Sequence, residues 1–313
     1  MISSMQTAGR VFVSSLLLCV AVACGGSDPE VVAPTTGATA TGAPASEAGD
    51  VSPFPSQAPG GLHLVVVGDF GTGDDDENEV SQAMLRWVDT NGASAFLTTG
   101  DNIYPAGESA DFDEAWTEPY GWVAARGLPV VASLGNHDVM NDGGAAVQDL
   151  LAMPDRWYSK VIGDAEIFVL DANDPANGDQ LQWLTQALQA SSATWKIAVF
   201  HEPAYSCASH DGTPLVQELW VPLFESTGVD LVLNGHDHDY QRFVAPDGPT
   251  YVVTGGGGDS LYPLEPCPAG YPPRVAGNDQ DHHFLAVTAD LAGLRVQALG
   301  SNGVVIDDFT IPR

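Results

Sequence analysis

The sequence predicts an α/β fold: two mixed β-sheets packed face to face with helices outside, a four-layer α/β/β/α sandwich. Three observations predict it. Short apolar, strand-like runs alternate with amphipathic helical patterns through the first part of the globular chain. Strand-like runs without clear helices fill the remainder. Several of the apolar runs end in clusters of polar residues, as strands do at the ligand-binding edge of an open α/β sheet.

The elements follow in order. Leu62–Val67 is almost continuously apolar, as in a buried strand. Glu79–Thr90 predicts a helix, with Val80, Met84, Leu85 and Val88 on one face and Gly92 just beyond its end. Ala95–Thr99, Leu128–Leu134 and Ile167–Leu170 repeat the strand type, and Gln180–Ala190 is a second amphipathic helix with Leu181, Leu184 and Leu188 aligned. Trp195–Phe200 and Val229–Leu233 are further apolar strands. From Tyr240 onward, Gln241–Val244, Thr250–Thr254, Phe284–Thr288, Leu294–Leu299 and Val304–Thr310 suggest an antiparallel sheet completing the domain.

Ahead of this domain, Arg10 precedes an apolar stretch from Val11 to Ala23, at about 13 residues too short to span a bilayer comfortably. The stretch ends in Ala21-Val22-Ala23-Cys24-Gly25-Gly26, which resembles a bacterial lipoprotein cleavage box with Cys24 as the lipidated residue, although Ala21 departs from the usual Leu. Residues 1–24 are therefore expected to be a signal peptide of lipoprotein type. The product would be exported, as a cell-envelope lipoprotein or a secreted or periplasmic protein. Residues 25–60, rich in Pro, Ala, Gly, Thr and Ser, are expected to form a flexible linker, and 61–313 the catalytic domain. After Cys24 only Cys207 and Cys267 remain, and an oxidising compartment would allow them to pair or to stay as separate thiols.

The net charge is −31, with 10 Lys and Arg against 41 Asp and Glu. Such a surface repels nucleic acids and anionic lipid headgroups, so the expected membrane contact is limited to the N-terminal anchor and no nucleic-acid partner is expected. An anionic substrate would need a strong local positive charge, which bound metal ions supply. Apolar residues make up 44% of the chain, enough for a sizeable core.

The polar clusters at the strand ends supply donors of that kind. Gly68-Asp69 follows the first strand, Gly100-Asp101-Asn102 the second, and Gly135-Asn136-His137-Asp138 the third. Trp195–Phe200 runs directly into His201, and Val229–Leu233 into Asn234-Gly235-His236-Asp237-His238. Asp69, Asp101, Tyr104, Asn136, His201, His236 and His238 offer carboxylates, imidazoles, an amide oxygen and a phenol. Hard or borderline ions suit this set, and without a thiolate it does not indicate a structural zinc site. Seven donors exceed the needs of one ion and suit two ions sharing a carboxylate, able to hold both the attacking and the leaving oxygen at phosphorus.

Gly68-Asp69-Phe70-Gly71, Gly100-Asp101-Asn102-Ile103-Tyr104, Gly135-Asn136-His137-Asp138, Phe200-His201 and Gly235-His236-Asp237-His238 resemble the five motifs of the calcineurin-like metallophosphatases. Tyr104, three residues after Asp101, narrows the resemblance to the purple acid phosphatases, and most of all to the small tartrate-resistant type. The resemblance covers about Leu62 to Phe309 and implies the metallophosphoesterase fold. It implies that Asp69, Asp101, Tyr104 and His238 hold ferric iron, and that Asp101, Asn136, His201 and His236 hold a divalent ion (Fe2+, Zn2+ or Mn2+), with Asp101 bridging. His137 and His210 would be the catalytic histidines, binding phosphate oxygens and protonating the leaving alkoxide, with Asp138 orienting His137. The implied reaction is hydrolysis of small phosphomonoesters by in-line attack of a metal-bound hydroxide, without a covalent phosphoenzyme, in a monomeric acid phosphatase.

Two rivals stand beside this reading. One is a manganese- or zinc-dependent phosphodiesterase of the same fold, against which Tyr104 argues. The other is a non-catalytic lipoprotein binding metal or phosphate, against which the full set of seven donors argues. The short segment from Ala172 to Gln180 implies a more open site than in the mammalian members. Residues outside the motifs receive plain readings. His282 and His283 are expected at the surface, and His63 as a local polar position. Gly255–Gly258 is expected to form a tight bend beside the metal site, without the Lys and Ser or Thr of a P-loop. Asp74–Glu77, lacking EF-hand spacing, is expected to be a solvated loop.

Overall fold

The computed structural model describes residues 61–290 and 292–313. The expected signal peptide, Cys24 and the linker lie outside the described residues.

Strand β1 (Leu62–Val67) leads through a turn to helix α1 (Asp75–Asn91), then to β2 (Ala95–Thr98). A π-helical turn (Asp113–Thr117) runs into α2 (Glu118–Ala125), followed by β3 (Val130–Val131), α3 (Ala145–Leu150), β4 (Tyr158–Ile162) and β5 (Ala165–Val169). Then come α4 (Gly178–Ala190), β6 (Trp195–Val199), α5 (Pro214–Leu219), α6 (Val221–Thr227), β7 (Leu231–Asn234), β8 (Tyr240–Val244) and β9 (Thr250–Thr254). Four strands close the chain: β10 (Arg274–Asn278), β11 (His283–Ala289), β12 (Gly293–Gly300) and β13 (Val305–Pro312).

Two mixed sheets result, ordered β13-β12-β11-β1-β2-β3 and β10-β8-β9-β7-β6-β5-β4. β1, β2 and β3 run parallel in the first, and β5, β6, β7 and β9 in the second. The alternation along β1 explains why the sheets stack. Leu62, Leu64 and Val66 point into a cluster with Ile167, Val169, Ile197, Val199, Leu231 and Leu233 of the other sheet. Val65 and Val67 point the opposite way, against Val80, Met84 and Trp87 of α1 and Tyr120 of α2. On the outer face of the second sheet, Phe168, Ala198 and Val232 meet Leu184 and Leu188 of α4, Val216 and Trp220 beside α5, and Phe224 of α6. Three apolar interfaces between four layers give the α/β/β/α sandwich that the sequence predicts.

Three expectations change. The C-terminal strands do not form one antiparallel sheet. β8, β9 and β10 extend the second sheet, whereas β11, β12 and β13 extend the first, with β11 antiparallel to β1. The apolar run Leu128–Leu134 pairs as a strand only at Val130–Val131, because it lies at a sheet edge and the Tyr158 hydroxyl takes over both backbone groups of Ala132. The acidic run Asp74–Glu77 is no solvated loop. Asp74 caps α1, accepting from the Glu77 backbone N–H at 3.0 Å, and the following acidic residues occupy the first turn, where the helix dipole favours them.

Candidate metal centre

The turns after β1, β2, β3, β6 and β7 converge at one edge of the sandwich. Among the described residues, four other than glycine have positive φ, and three of them are Asp69 (57°), Asp101 (51°) and His236 (74°). Side chains rarely adopt this conformation, and it gathers where surroundings enforce it, often at functional sites. Close backbone approach explains two of the glycines. A Cβ on Gly135 would collide with the Asp101 carboxylate, and one on Gly235 with the Asp69 carboxylate.

Asp101 stands at the middle. Its Oδ2 accepts from the Tyr104 hydroxyl at 3.1 Å and lies 3.2 Å from His201 Nε2. On the Tyr104 side, His238 Nε2 is 3.3 Å from the Tyr104 oxygen and 3.6 Å from Asp69 Oδ1. On the other side, His201 Nε2 is 3.1 Å from Asn136 Oδ1 and 3.7 Å from Asp69 Oδ1. His236 joins through its backbone N–H, which donates to both Asp69 oxygens at 2.9 and 3.0 Å, while its ring lies 5.1 Å from that of His201. The seven residues named from the sequence thus gather in one place, with Asp101 and Asp69 both lying between the Tyr104–His238 side and the His201–Asn136 side.

The donor set fits cations. Asp69, Asp101 and His201 each offer an atom within 4.8 Å of the others, and all three are buried. His201 Nδ1 donates to Thr99 O at 2.8 Å, and His238 Nδ1 to Ser260 O at 3.0 Å. A carbonyl only accepts, so Nδ1 carries a proton in each and Nε2 is the nitrogen turned inward, as in metal-ligating histidines. Without added positive charge the groups strain against one another. Burial pushes Asp69 well up, only partly opposed by His201. Burial also acts to raise Asp101, but the charge and hydrogen bond of His201 overcome it and bring Asp101 to about 2. Burial, helped by His201 and His210, drives His236 down to about 2. Burial and then Asp69 and Asp101 hold the Tyr104 phenol well above its ordinary value. Bound cations would draw the protons from Asp69 and Tyr104, while Asp101 and His236 are already free of theirs.

The two candidate catalytic histidines flank this centre. The His137 ring lies 4.6 Å from that of Tyr104, with Nδ1 donating to Pro105 O at 2.7 Å. Asp138 does not orient it, contrary to expectation. The Asp138 carboxylate points the other way, accepting from the backbone N–H groups of Asn102, Ile103 and Gly135 and from the Asn102 amide at 2.7–3.2 Å. It braces the two turns that carry the candidate ligands Asp101 and Asn136. His210 stands over His236 at 4.2 Å between centroids, with Nδ1 3.1 Å from Asp237 Oδ1. That hydrogen bond raises His210 above its usual range, against the smaller opposing effect of burial. Asp237, fully buried, also accepts from the His210 backbone N–H and from the Ser206 hydroxyl.

Other placements correct or extend the sequence reading. His283 is not at the surface: it begins β11, is fully buried, and lies 3.1 Å from Thr254 Oγ1 under the glycine run. His282 is half-buried, its Nε2 bonded to Asp259 O. His63 Nδ1 donates to Asn91 O at 2.9 Å. Gly255 and Gly257 do press against the Asp69 turn, where side chains would collide with Asp237 O and Gly68 O. Cys207 and Cys267, 60 residues apart, form a disulfide. Tyr262 was missed from the sequence. Its ring stacks on His238 at 4.1 Å and 11°, yet it belongs to no motif and sits in an irregular loop.

Comparison with known proteins identifies the family. Residues 62–240 match the calcineurin-like phosphoesterase family. Purple acid phosphatase 4 of Arabidopsis thaliana is 30% identical over 236 residues, covering 65% of this chain and 70% of the relative. Tartrate-resistant acid phosphatase type 5 of Mus musculus is 27% identical over 236 residues, covering 63% and 72%. The structure of purple acid phosphatase PPD1 from yellow lupin seeds superposes with a TM-score of 0.68 at 22% identity, over 84% of this chain and 55% of that one. With the family match spanning more than half of the chain, this protein belongs to the calcineurin-like phosphoesterases and has the purple and tartrate-resistant acid phosphatases among its relatives.

Proposed function

We propose that this chain is an exported acid phosphatase that hydrolyses small phosphate monoesters at a centre of ferric iron and a divalent ion. One observation carries the reading: a single oxygen of Asp101 stands between the Tyr104 phenol and the His201 imidazole, at 3.1 and 3.2 Å. A carboxylate so placed is suited to joining two ions, and a phenol beside it suits a trivalent one, which can ionise it.

In this reading Asp69, Asp101, Tyr104 and His238 would hold ferric iron, and Asp101, Asn136, His201 and His236 would hold Fe2+, Zn2+ or Mn2+. When bound, the ions supply positive charge to the phosphate and acidify the water that attacks phosphorus. The protein's own groups do the rest. Thr99 O and Ser260 O fix the imidazoles of His201 and His238, so no reorientation is required when substrate arrives. His210, its Nδ1 held by Asp237 and its side chain 42% exposed, offers Nε2–H to the leaving oxygen. The raised pKa of His210 keeps it protonated through acidic medium, as a proton donor must be. His137, beside Tyr104 with its Nδ1 bonded to Pro105 O, would donate to a phosphate oxygen.

Metal analysis of the purified protein, together with a p-nitrophenyl phosphate assay across pH, tests the proposal. We expect about two metal ions per chain, iron among them, a visible absorption band that disappears in Tyr104→Phe, and loss of both metal and turnover in Asp101→Ala. Turnover retained in Asp101→Ala would remove the centre of the proposal.

A further inference from the structure

The donor cluster is surrounded by an arc of rings. Between centroids, His137 to Tyr104 is 4.6 Å, Tyr104 to His238 6.4 Å and His238 to Tyr262 4.1 Å. The arc continues from Tyr262 to His210 at 5.6 Å, to His236 at 4.2 Å and to His201 at 5.1 Å. Tyr262 is the one member to which the phosphatase reading gives no task.

We propose that Tyr262 is a specificity-determining residue: an aromatic wall that receives the organic half of the ester and favours planar aryl substituents over small alkyl ones. The inference rests on the phosphatase reading and adds the substrate class. Tyr262 stands between His238, which would hold an ion, and His210, which would meet the leaving oxygen. A phosphoryl group on the ions therefore directs its substituent past this ring. His238 covers one face of Tyr262, nearly parallel at 11°, and the residue is only half-buried. Among the described residues, Tyr262 packs into none of the three apolar clusters, so core filling does not explain a large aromatic here.

The wall is also held in place. Residues 255–273 contain neither helix nor strand, and Pro263, Pro266, Pro268, Pro272 and Pro273 stiffen the second half of that segment. A loop of this length in a compact domain is commonly functional. Tyr262 N–H donates to His238 O at 2.9 Å and Glu265 N–H to Cys207 O at 2.8 Å. The Cys207–Cys267 disulfide joins the Tyr262 loop to the loop that carries His210 three residues later. Cys207 itself is anchored from below, its N–H donating to Gln241 Oε1 at 2.9 Å and its carbonyl accepting from Arg274 at 2.9 Å. One covalent bond thus fixes the spacing of the two rings that border the leaving group.

Calorimetric titration of the metal-loaded full chain with orthophosphate, methylphosphonate and phenylphosphonate tests this. Wild type should bind phenylphosphonate more tightly than methylphosphonate by roughly threefold to tenfold, the range of one aromatic contact. Tyr262→Ala and Tyr262→Leu should bring that ratio near one while orthophosphate binding stays unchanged, and Tyr262→Phe should keep the ratio. The Cys207→Ser/Cys267→Ser protein should move toward Tyr262→Ala. A ratio equal in wild type and Tyr262→Ala overturns the proposal. So does a parallel loss of orthophosphate binding in both Ala and Leu variants, which would make Tyr262 a prop for His238. If wild type binds no orthophosphate at all, the phosphatase reading itself falls, and the wall with it.

Discussion

Glu77 is a carboxyl buried out of reach of bulk solvent. It occupies the first turn of α1, is fully buried, and accepts from the Gly73 N–H at 2.6 Å through Oε2, while Oε1 has no partner. Burial pushes it from its ordinary 4.5 up to about 9, with the Gly73 hydrogen bond opposing and Asp74 adding. The folded protein therefore keeps a proton that the unfolded chain releases above pH 4.5. The stability tied to this proton is fully present below pH 4.5 and is lost progressively as pH rises to about 9. Each pH unit in that window corresponds to about 1.4 kcal/mol, so three units give about 4 kcal/mol near pH 7.5. Local relaxation and water entry reduce such penalties, and about 2 kcal/mol is expected in practice. Glu77→Gln keeps the shape and an acceptor for Gly73 but cannot ionise. Its advantage over wild type in urea denaturation should be near zero at pH 5 and about 2 kcal/mol at pH 8, with metal content matched. An equal difference at both pH values would show that Glu77 carries no proton in the fold.

Closing a loop of 60 residues restricts the unfolded chain, so Cys207→Ser/Cys267→Ser should lose up to about 4 kcal/mol and about 10 °C in Tm by scanning calorimetry. A loss under about 1 kcal/mol would mean that the hydrogen bonds of Cys207 and Glu265 already close the loop. At the other end of the chain, Cys24→Ser should abolish incorporation of labelled palmitate in a bacterial host and shift the protein to the soluble fraction. Unchanged membrane association would leave Cys24 without the anchoring role.

The candidate site was legible because four of its five turns follow an apolar run with a glycine beside the candidate ligands, His201 alone following its strand directly, and the reason is steric. Gly135 and Gly235 make room for the carboxylates of Asp101 and Asp69, so the ligands cannot be brought together without a glycine pattern that the sequence displays. The layers were legible through alternation, as in β1. The sheet to which each C-terminal strand attaches was not, since β9 beside β7 and β11 beside β1 depend on long-range packing that no local pattern encodes. Short helices escaped for a related reason. Pro119, Pro214 and Pro222 look like breakers but occupy first turns, where no intrahelical N–H is needed. Glu77 was hidden among acidic neighbours that do face water. Tyr262 left no signal, because its partner His238 lies 24 positions earlier in another turn.

The charge balance gives a last consequence. A phosphate ester approaching this protein meets a net charge of −31 before it meets anything attractive. Arg126, Arg156, Arg242 and Arg295 are paired with Asp89, Asp171, Asp307 and Asp308. The polar contacts of the centre come from Asp, Asn, Tyr, His and backbone groups, so apart from a protonated His210 the attraction there would come from bound ions. The two fields differ in reach. Repulsion from the whole surface extends over the Debye length, about 30 Å at 0.01 M salt and about 8 Å at 0.15 M, whereas contact with the ions acts over a few Å and is barely screened. Added NaCl should therefore remove the repulsion first. Between about 10 and 150 mM NaCl, kcat/KM for p-nitrophenyl phosphate should rise on the order of threefold, with kcat little changed. Enzymes that steer anions with arginine and lysine show the opposite slope. A falling kcat/KM here would mean that positive potential extends well beyond the centre, and that the acidic surface does not govern how substrate arrives.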